Sequence, residues 1–196
     1  MLINTHMLFA RKLYENIDYD KKYLMKDNQF LWGNVKPDCA SKYKLKKHYK
    51  DESFIMIMNK IEFLCNLSIK DLFTIYTINK FNQELGVICH FLCDYFCLAH
   101  NKRWEFKSAN VVKDHIKYEK NLDKVAKDFK FTAAKNTNVK PNNVVHFIND
   151  MLKQYDNEQD YYIDIKYANY VCNTVINVVL ESVIENEYKI RIAESL

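Results

Sequence analysis

His90 and Asp94 stand four residues apart in ELGVICHFLCDYFCLAHN, and His115 and Glu119 repeat that spacing in HIKYE. On an α-helix, positions i and i+4 share a face. Each pair therefore sets an imidazole beside a carboxylate, an arrangement that chelates a divalent cation. His100 follows Asp94 and is expected to close the same helix. That helix is otherwise apolar, and an ionised carboxylate buried in it is costly unless it is paired or bound to metal. A lone histidine on such a face is most often an ordinary core or surface residue. Two His/carboxylate pairs together with His100 make a metal site the leading interpretation. GNVKPD adds Asp38, expected in a rigid turn after Pro37, and His48 follows ten residues later. No CxxC pair occurs. Imidazole and carboxylate donors without thiolate suit zinc in a hydrolytic site better than in a structural one.

The elements that must carry these residues are helical. Hydrophobic residues make up 48% of the 196, enough for a substantial core, while Gly and Pro number only 2 each. Such a shortage of turn formers excludes an all-β sandwich and a glycine-rich nucleotide fold. Helical periodicity predicts a first helix capped by Thr5 and running to about Asn16. Further helices are predicted over 52–66, 69–99, a segment from a Ser108 cap to about Phe129, and Pro141 to about Tyr155. Residues 159–194 form one long helix or two. Residues 28–40 are expected to be irregular because Gly33 and Pro37 interrupt them, and 130–140 to be a loop. The prediction is a single all-α domain over 1–196 with roughly six to eight helices. Cys89, Cys93 and Cys97 form a stripe of small buried thiols rather than a disulfide framework.

Taken together, these motifs resemble the zinc-dependent phospholipase C family. The resemblance runs from His6 to Glu119. It rests on a histidine in the first helix, GNVKPD with a following KHY, LGVICHFLCD with AH beyond the Asp, and HIKYE. It implies an all-α fold around a three-zinc cluster. Asp38, His48, His90 and Asp94 would hold one zinc; His100, His115 and Glu119 a second. His6 would hold a third, with Asp94 bridging to the first. Asp38 would also be the candidate general base. In the family the third zinc takes the amine and carbonyl of an N-terminal Trp. Here the chain starts MLINTH, and the Met1 α-amino group and carbonyl are expected to replace it. The implied activity is hydrolysis of a phospholipid to diacylglycerol and a phosphorylated headgroup, with two or three Zn²⁺ as cofactor. A single-strand-specific zinc nuclease is the alternative within the same fold. Glu119 as the last carboxylate resembles the lipases, because Asp is usual in the nucleases. A zinc-binding structural module without catalysis is the alternative from another class.

The remaining features are bland. The net charge of +4 makes no demand for nucleic acid, and SKYKLKKHYK is read as a solvated face. No signal peptide and no stretch of about 20 apolar residues is evident, so a cytoplasmic location is the expectation, with non-classical export left open. Trp32, Trp104, Phe106 and Tyr43 are expected to pack in the core rather than line a headgroup pocket. His146 is assigned a structural or surface role, and Lys36 and Arg103 a solvated one. Gly86, one turn before His90, is expected to let another helix approach closely.

Overall fold

The computed structural model describes residues 1–39, 48–102, 111–134, 138–156 and 160–195. The Lys-rich run from Ser41 to Lys47, Tyr43, Arg103, Trp104, Phe106 and the Ser108 cap lie outside the described residues. Among the described residues there are nine α-helices, two 3-10 turns and no strand. The α-helices are α1 (Ile3–Glu15), α2 (Asp27–Cys39), α3 (Lys50–Cys65), α4 (Ile69–Thr74), α5 (Ile78–Tyr95), α6 (Leu98–Asn101), α7 (Val111–Asp128), α8 (Val144–Tyr155) and α9 (Tyr161–Glu194).

Helix α5 is the centre of the molecule. From Glu84 to Tyr95 every residue is buried. It packs against α2, α3 and α9, and more lightly against α1, α4 and α6. Burial all round is the pattern of a helix surrounded by others rather than one with a solvent face. The tightest of these contacts is with α2, through Gly33 and Gly86. A Cβ at Gly33 would run into the Gln83 carbonyl. One at Gly86 would run into the Phe30 carbonyl and come within 2.8 Å of the Asn34 backbone N. The expectation for Gly86 therefore holds, and Gly33 is its counterpart.

The prediction of an irregular 28–40 segment is overturned. Asp27–Cys39 is helical, with Pro37 inside it. Proline there removes one backbone hydrogen bond and disfavours the helix locally. The buried residues Phe30, Gly33, Asn34 and Pro37 fall on one helical stripe, and the burial of that stripe against α5 outweighs the local cost. Asp38 therefore sits in the last turn of a helix, not in a turn between elements. The first helix begins earlier than expected, with Leu2 as its N-cap. Thr5 lies inside it and donates instead to Asp123 Oδ1 at 2.9 Å.

The predicted 69–99 helix is three helices. Ser68 and Asp71 make a reciprocal capping box at the start of α4. The Thr77 side chain accepts from Lys80 N and starts α5 afresh. A second break at Phe96–Cys97 puts His100 in the four-residue α6. Pro141 opens a 3-10 turn that leads into α8. Residues 161–194 are a single helix of 34 residues, about 50 Å long, which lies along α3, α5, α7 and α8. The cysteine stripe is buried as predicted, and all six cysteines are free thiols. Trp32 corrects its expectation. It is 43% exposed, because it lies off the stripe that α2 turns towards α5. No described helix is long and apolar enough to cross a membrane.

Candidate metal centre

Five helices and one loop deliver nine donor groups to one place. Met1 comes from just before α1 and His6 from its first turns, Asp38 from the end of α2 and His48 from the segment before α3. His90 and Asp94 come from α5, His100 from α6, and His115 and Glu119 from α7. Asp94 is the hub and is fully buried. Its Oδ1 lies 2.5 Å from the Met1 amine and 3.3 Å from His6 Nε2. Its Oδ2 lies 3.0 Å from His48 Nδ1 and 3.3 Å from His90 Nε2. His100 Nε2 stands 3.8 Å from Oδ1. A second hub is Glu119 Oε1, at 3.0 Å from His100 Nε2, 3.2 Å from His115 Nε2 and 3.0 Å from the Met1 amine. Asp38 Oδ1 is more distant, 3.6 Å from His48 Nδ1 and 3.7 Å from His90 Nε2.

These spacings fit metal coordination. Zinc with bonds of about 2.0–2.1 Å to four tetrahedral ligands separates neighbouring donor atoms by about 3.3 Å. Three sets have donor atoms mutually within 4.8 Å: His6, Asp38 and His90; His48, His90 and Asp94; and Cys97, His100 and Glu119. His90 Nε2 and His48 Nδ1 face each other at 3.2 Å. Two imidazole lone pairs held that close need a proton or a cation between them.

The histidine ring partners give a further test. His90 Nδ1 lies 2.7 Å from the Asn34 carbonyl oxygen. A carbonyl only accepts, so Nδ1 carries the proton and Nε2 is left as the donor facing the cluster. This is how an outer partner orients a metal-ligating histidine. Asn34 itself is buried and donates to the Phe30 carbonyl. His6 is fully buried, its ring stacked on His90 at 3.9 Å, and among the described residues neither of its ring nitrogens makes a hydrogen bond, although Nε2 approaches Asp94 Oδ1. A buried polar atom left without a partner costs about 1–3 kcal/mol. Ligation of a cation by His6 Nε2 would remove half of that deficit, so the residues present fit a bound metal.

Electrostatics follow from the crowding. Burial by itself would raise the Asp94 carboxyl. The Met1 ammonium and the His100, His90 and His6 imidazoles overcome that and hold it well below the usual carboxylate range. Glu119 behaves alike: burial opposes ionisation, but the Met1 ammonium and the hydrogen bonds from His100 and His115 hold it low. Burial would lower the Met1 amine, whereas Asp94, Cys97 and Glu119 raise it. Burial depresses His6, helped by His90, and depresses His100, helped by the Met1 ammonium. His48 is raised by its contact with Asp94 despite burial. Asp38 is raised, chiefly by burial.

A cavity of about 270 Å³ opens onto this cluster, bordered by His48, Tyr49, Lys50, Asp94, His100 and Lys102. The site thus combines buried anions, oriented imidazoles and an entrance carrying two lysines. The structure brings together all nine residues singled out from the sequence. It also brings in Cys97, whose place in a thiol stripe signalled burial only, and Asn34, whose contribution is a backbone carbonyl and left no sequence signal. His146 stays apart, 80% exposed and 2.9 Å from Asp150. Lys36 reaches Gln83 Oε1 at 3.1 Å.

Comparison with known proteins gives one result. Residues 5–162 match the family model described as zinc dependent phospholipase C. No curated protein and no solved structure matches the chain. The match spans most of the chain and every helix from α1 to α8, so the protein belongs to the zinc-dependent phospholipase C family.

Proposed function

We propose that this member of the zinc-dependent phospholipase C family hydrolyses the phosphodiester of a phospholipid headgroup, releasing diacylglycerol and a phosphorylated headgroup. The observation that carries this is the convergence on Asp94 of oriented or unpartnered imidazoles, at the mouth of a cavity. His48, His90, Asp94 and Asp38 would hold one zinc, and His100, His115 and Glu119 a second. His6 and the Met1 amine would hold a third, sharing Asp94 with the first. When bound, zinc supplies a lowered pKa for attached water and polarises phosphoryl oxygens.

The chain's own residues do the rest. Asp38 is the general base. It is partly exposed, and burial raises its carboxyl, which makes it a better proton acceptor than an ordinary aspartate at its Oδ atoms. Lys50 and Lys102 at the cavity mouth attract and orient the phosphodiester anion. Lys102 is restrained by Asp156 at 3.3 Å. Asn34, through its carbonyl, keeps His90 in the tautomer that leaves Nε2 free to ligate. The phospholipid reading is preferred to a single-strand nuclease because Glu119 stands where the nucleases use Asp.

The test is a substrate panel with zinc-loaded protein carrying a free N-terminus. Choline phospholipid is expected to be cleaved and single-stranded DNA left intact. Asp38→Asn should remove most of the activity while the helical circular dichroism stays unchanged. A protein that binds zinc but turns over neither substrate is instead a binding module. A peptide extension ahead of Met1 is expected to lower zinc content by one ion per chain. Equal zinc content in extended and free chains would remove the amine from the ligand set.

A further inference from the structure

Asp164 is fully buried in α9, two residues beyond the segment that the family match covers. No cation contacts its carboxylate among the described residues. Three neutral donors do. Tyr155 O–H donates to Oδ1 at 2.6 Å, while Tyr118 O–H and the Leu98 backbone N–H both donate to Oδ2 at 2.9 Å. Two of these three lie next to the metal centre. Leu98 opens α6, two residues before His100. Tyr118 precedes Glu119 on α7 and follows His115 by three residues.

The need for such an anchor is specific to this half of the site. His90 sits on an 18-residue helix, and its ring is oriented by the Asn34 carbonyl. His100 has neither support. It rides on a helix of four residues, too short to be stable by its own hydrogen bonds, and among the described residues its Nδ1 has no hydrogen-bond partner. The contacts of the His100 ring at Nε2 lie within the cluster itself, so support from outside the cluster comes through its backbone. The Leu98 N–H bond to Asp164 supplies it, and the Tyr118 bond ties α7 to the same carboxylate. The Tyr155 bond, from the end of α8, fixes how the carboxylate itself is turned.

We infer that Asp164 is a positioning residue for the His100–His115–Glu119 half of the metal centre: by bonding both Leu98 N and Tyr118 Oη, it fixes α6 against α7 and so sets the distance between His100 and Glu119. This inference rests on the metal-binding reading above and adds to it a dependence on α9. The other half of the centre, around His48 and His90, is independent of Asp164.

The experiment is a zinc titration of the full chain against a competing chelator, which resolves the ions by affinity. His115→Ala and His48→Ala serve as reference variants that mark which binding step belongs to which half. Loss of an outer partner of a metal ligand typically weakens affinity about 10–100-fold. Asp164→Leu is expected to weaken the step marked by His115→Ala by that factor and to leave the step marked by His48→Ala within about twofold. Asp164→Asn can still accept from Leu98 N and Tyr118 Oη while its amide donates to Tyr155 Oη. It should therefore restore most of the loss. Tyr118→Phe removes one bond only, and it decides the matter if Asp164→Leu does not fold. It should weaken the same step about threefold or more, and no other step. Equal weakening of every step, or of none, in Tyr118→Phe, and in Asp164→Leu where it folds, would overturn the inference. If the unaltered chain binds no zinc, the metal-binding reading itself falls. If it binds zinc normally and Asp164→Leu and Tyr118→Phe titrate like it, only the role of Asp164 falls.

Discussion

Asp94 and Asp164 are both withdrawn completely from solvent, yet their surroundings push them in opposite directions. Asp94 faces an ammonium and several imidazoles and is held well below the usual carboxylate range. Asp164 faces two phenols and a backbone N–H. Burial raises it from its ordinary 3.8 to about 6, and the hydrogen bonds moderate the rise without reversing it. Desolvation disfavours both charges; only adjacent positive charge overcomes it. One carboxylate is thus built to remain an anion and receive cations. The other is built to join elements, a task that hydrogen bonds perform whether or not it is charged.

The sharpest way to break this comparison is to remove the anion at the hub. Asp94→Ala leaves the Met1 ammonium buried without its nearest partner and strips the proposed shared ligand from the cluster. Zinc content should fall by at least one ion per chain and phosphodiesterase activity by about 10³-fold or more, consistent with the loss of metal-ion catalysis. Chelator-treated protein should lose about 3–5 kcal/mol of stability, the cost of breaking a buried ion pair. Normal zinc content in Asp94→Ala would show that the hub is not a ligand.

A smaller effect is expected where the two helices bearing Asp38 and Asp94 meet. Gly33→Ala forces a methyl group into the Gln83 carbonyl. Overpacking of this kind costs about 1–3 kcal/mol, and against rigid backbone the upper end is expected in urea denaturation. Zinc binding at the His48–His90 half should weaken with it, because Asp38 moves with α2. The Asp164 cluster should be unaffected. An unchanged midpoint would mean that α2 and α5 separate more easily than their backbone approach implies.

The third prediction addresses Asp164 directly. Its carboxyl is raised in the folded state. Its contribution to stability is therefore fully present below about pH 4 and is lost as pH rises through about 6. The whole swing is roughly 3 kcal/mol. Asp164→Asn does not titrate. In chelator-treated protein, the stability of the natural chain relative to Asp164→Asn should therefore be greatest near pH 4 and fall by about 2–3 kcal/mol by pH 7. A difference that does not change with pH would place Asp164 with Asp94, as a carboxylate ionised throughout. The smallest effect belongs to His146, which resembles the site histidines in type alone. His146→Ala should change stability by no more than about 0.5 kcal/mol and leave zinc content unaltered.

How far these regions could be read from the residues differs for a physical reason. The pairs His90/Asp94 and His115/Glu119 were legible because i, i+4 adjacency is a property of a single helix and needs no partner. The helical character of the chain was legible from periodicity and from the scarcity of Gly and Pro. Residues 28–40 were misread because Gly33 and Pro37 are local breakers. The stripe Phe30, Gly33, Asn34, Pro37 that overrides them has value only once α5 lies against it. The break at Phe96–Cys97 was missed because the apolar pattern runs through it unchanged, although the backbone there turns and re-aims His100.

The sequence by itself determined the kinds of donor, their pairing along each helix and the all-helical class, because those depend on neighbours three or four residues away. Only the tertiary structure decided that donors from α1, α2, α5, α6, α7 and the segment before α3 share one pair of carboxylate hubs. It alone decided that Cys97 stands beside them and that Asp164 clasps two of the contributing helices. The partners of Asp164 lie 9, 46 and 66 residues away. An aspartate in an apolar helix carries no local mark of which distant donors will reach it. That is settled when the helices pack.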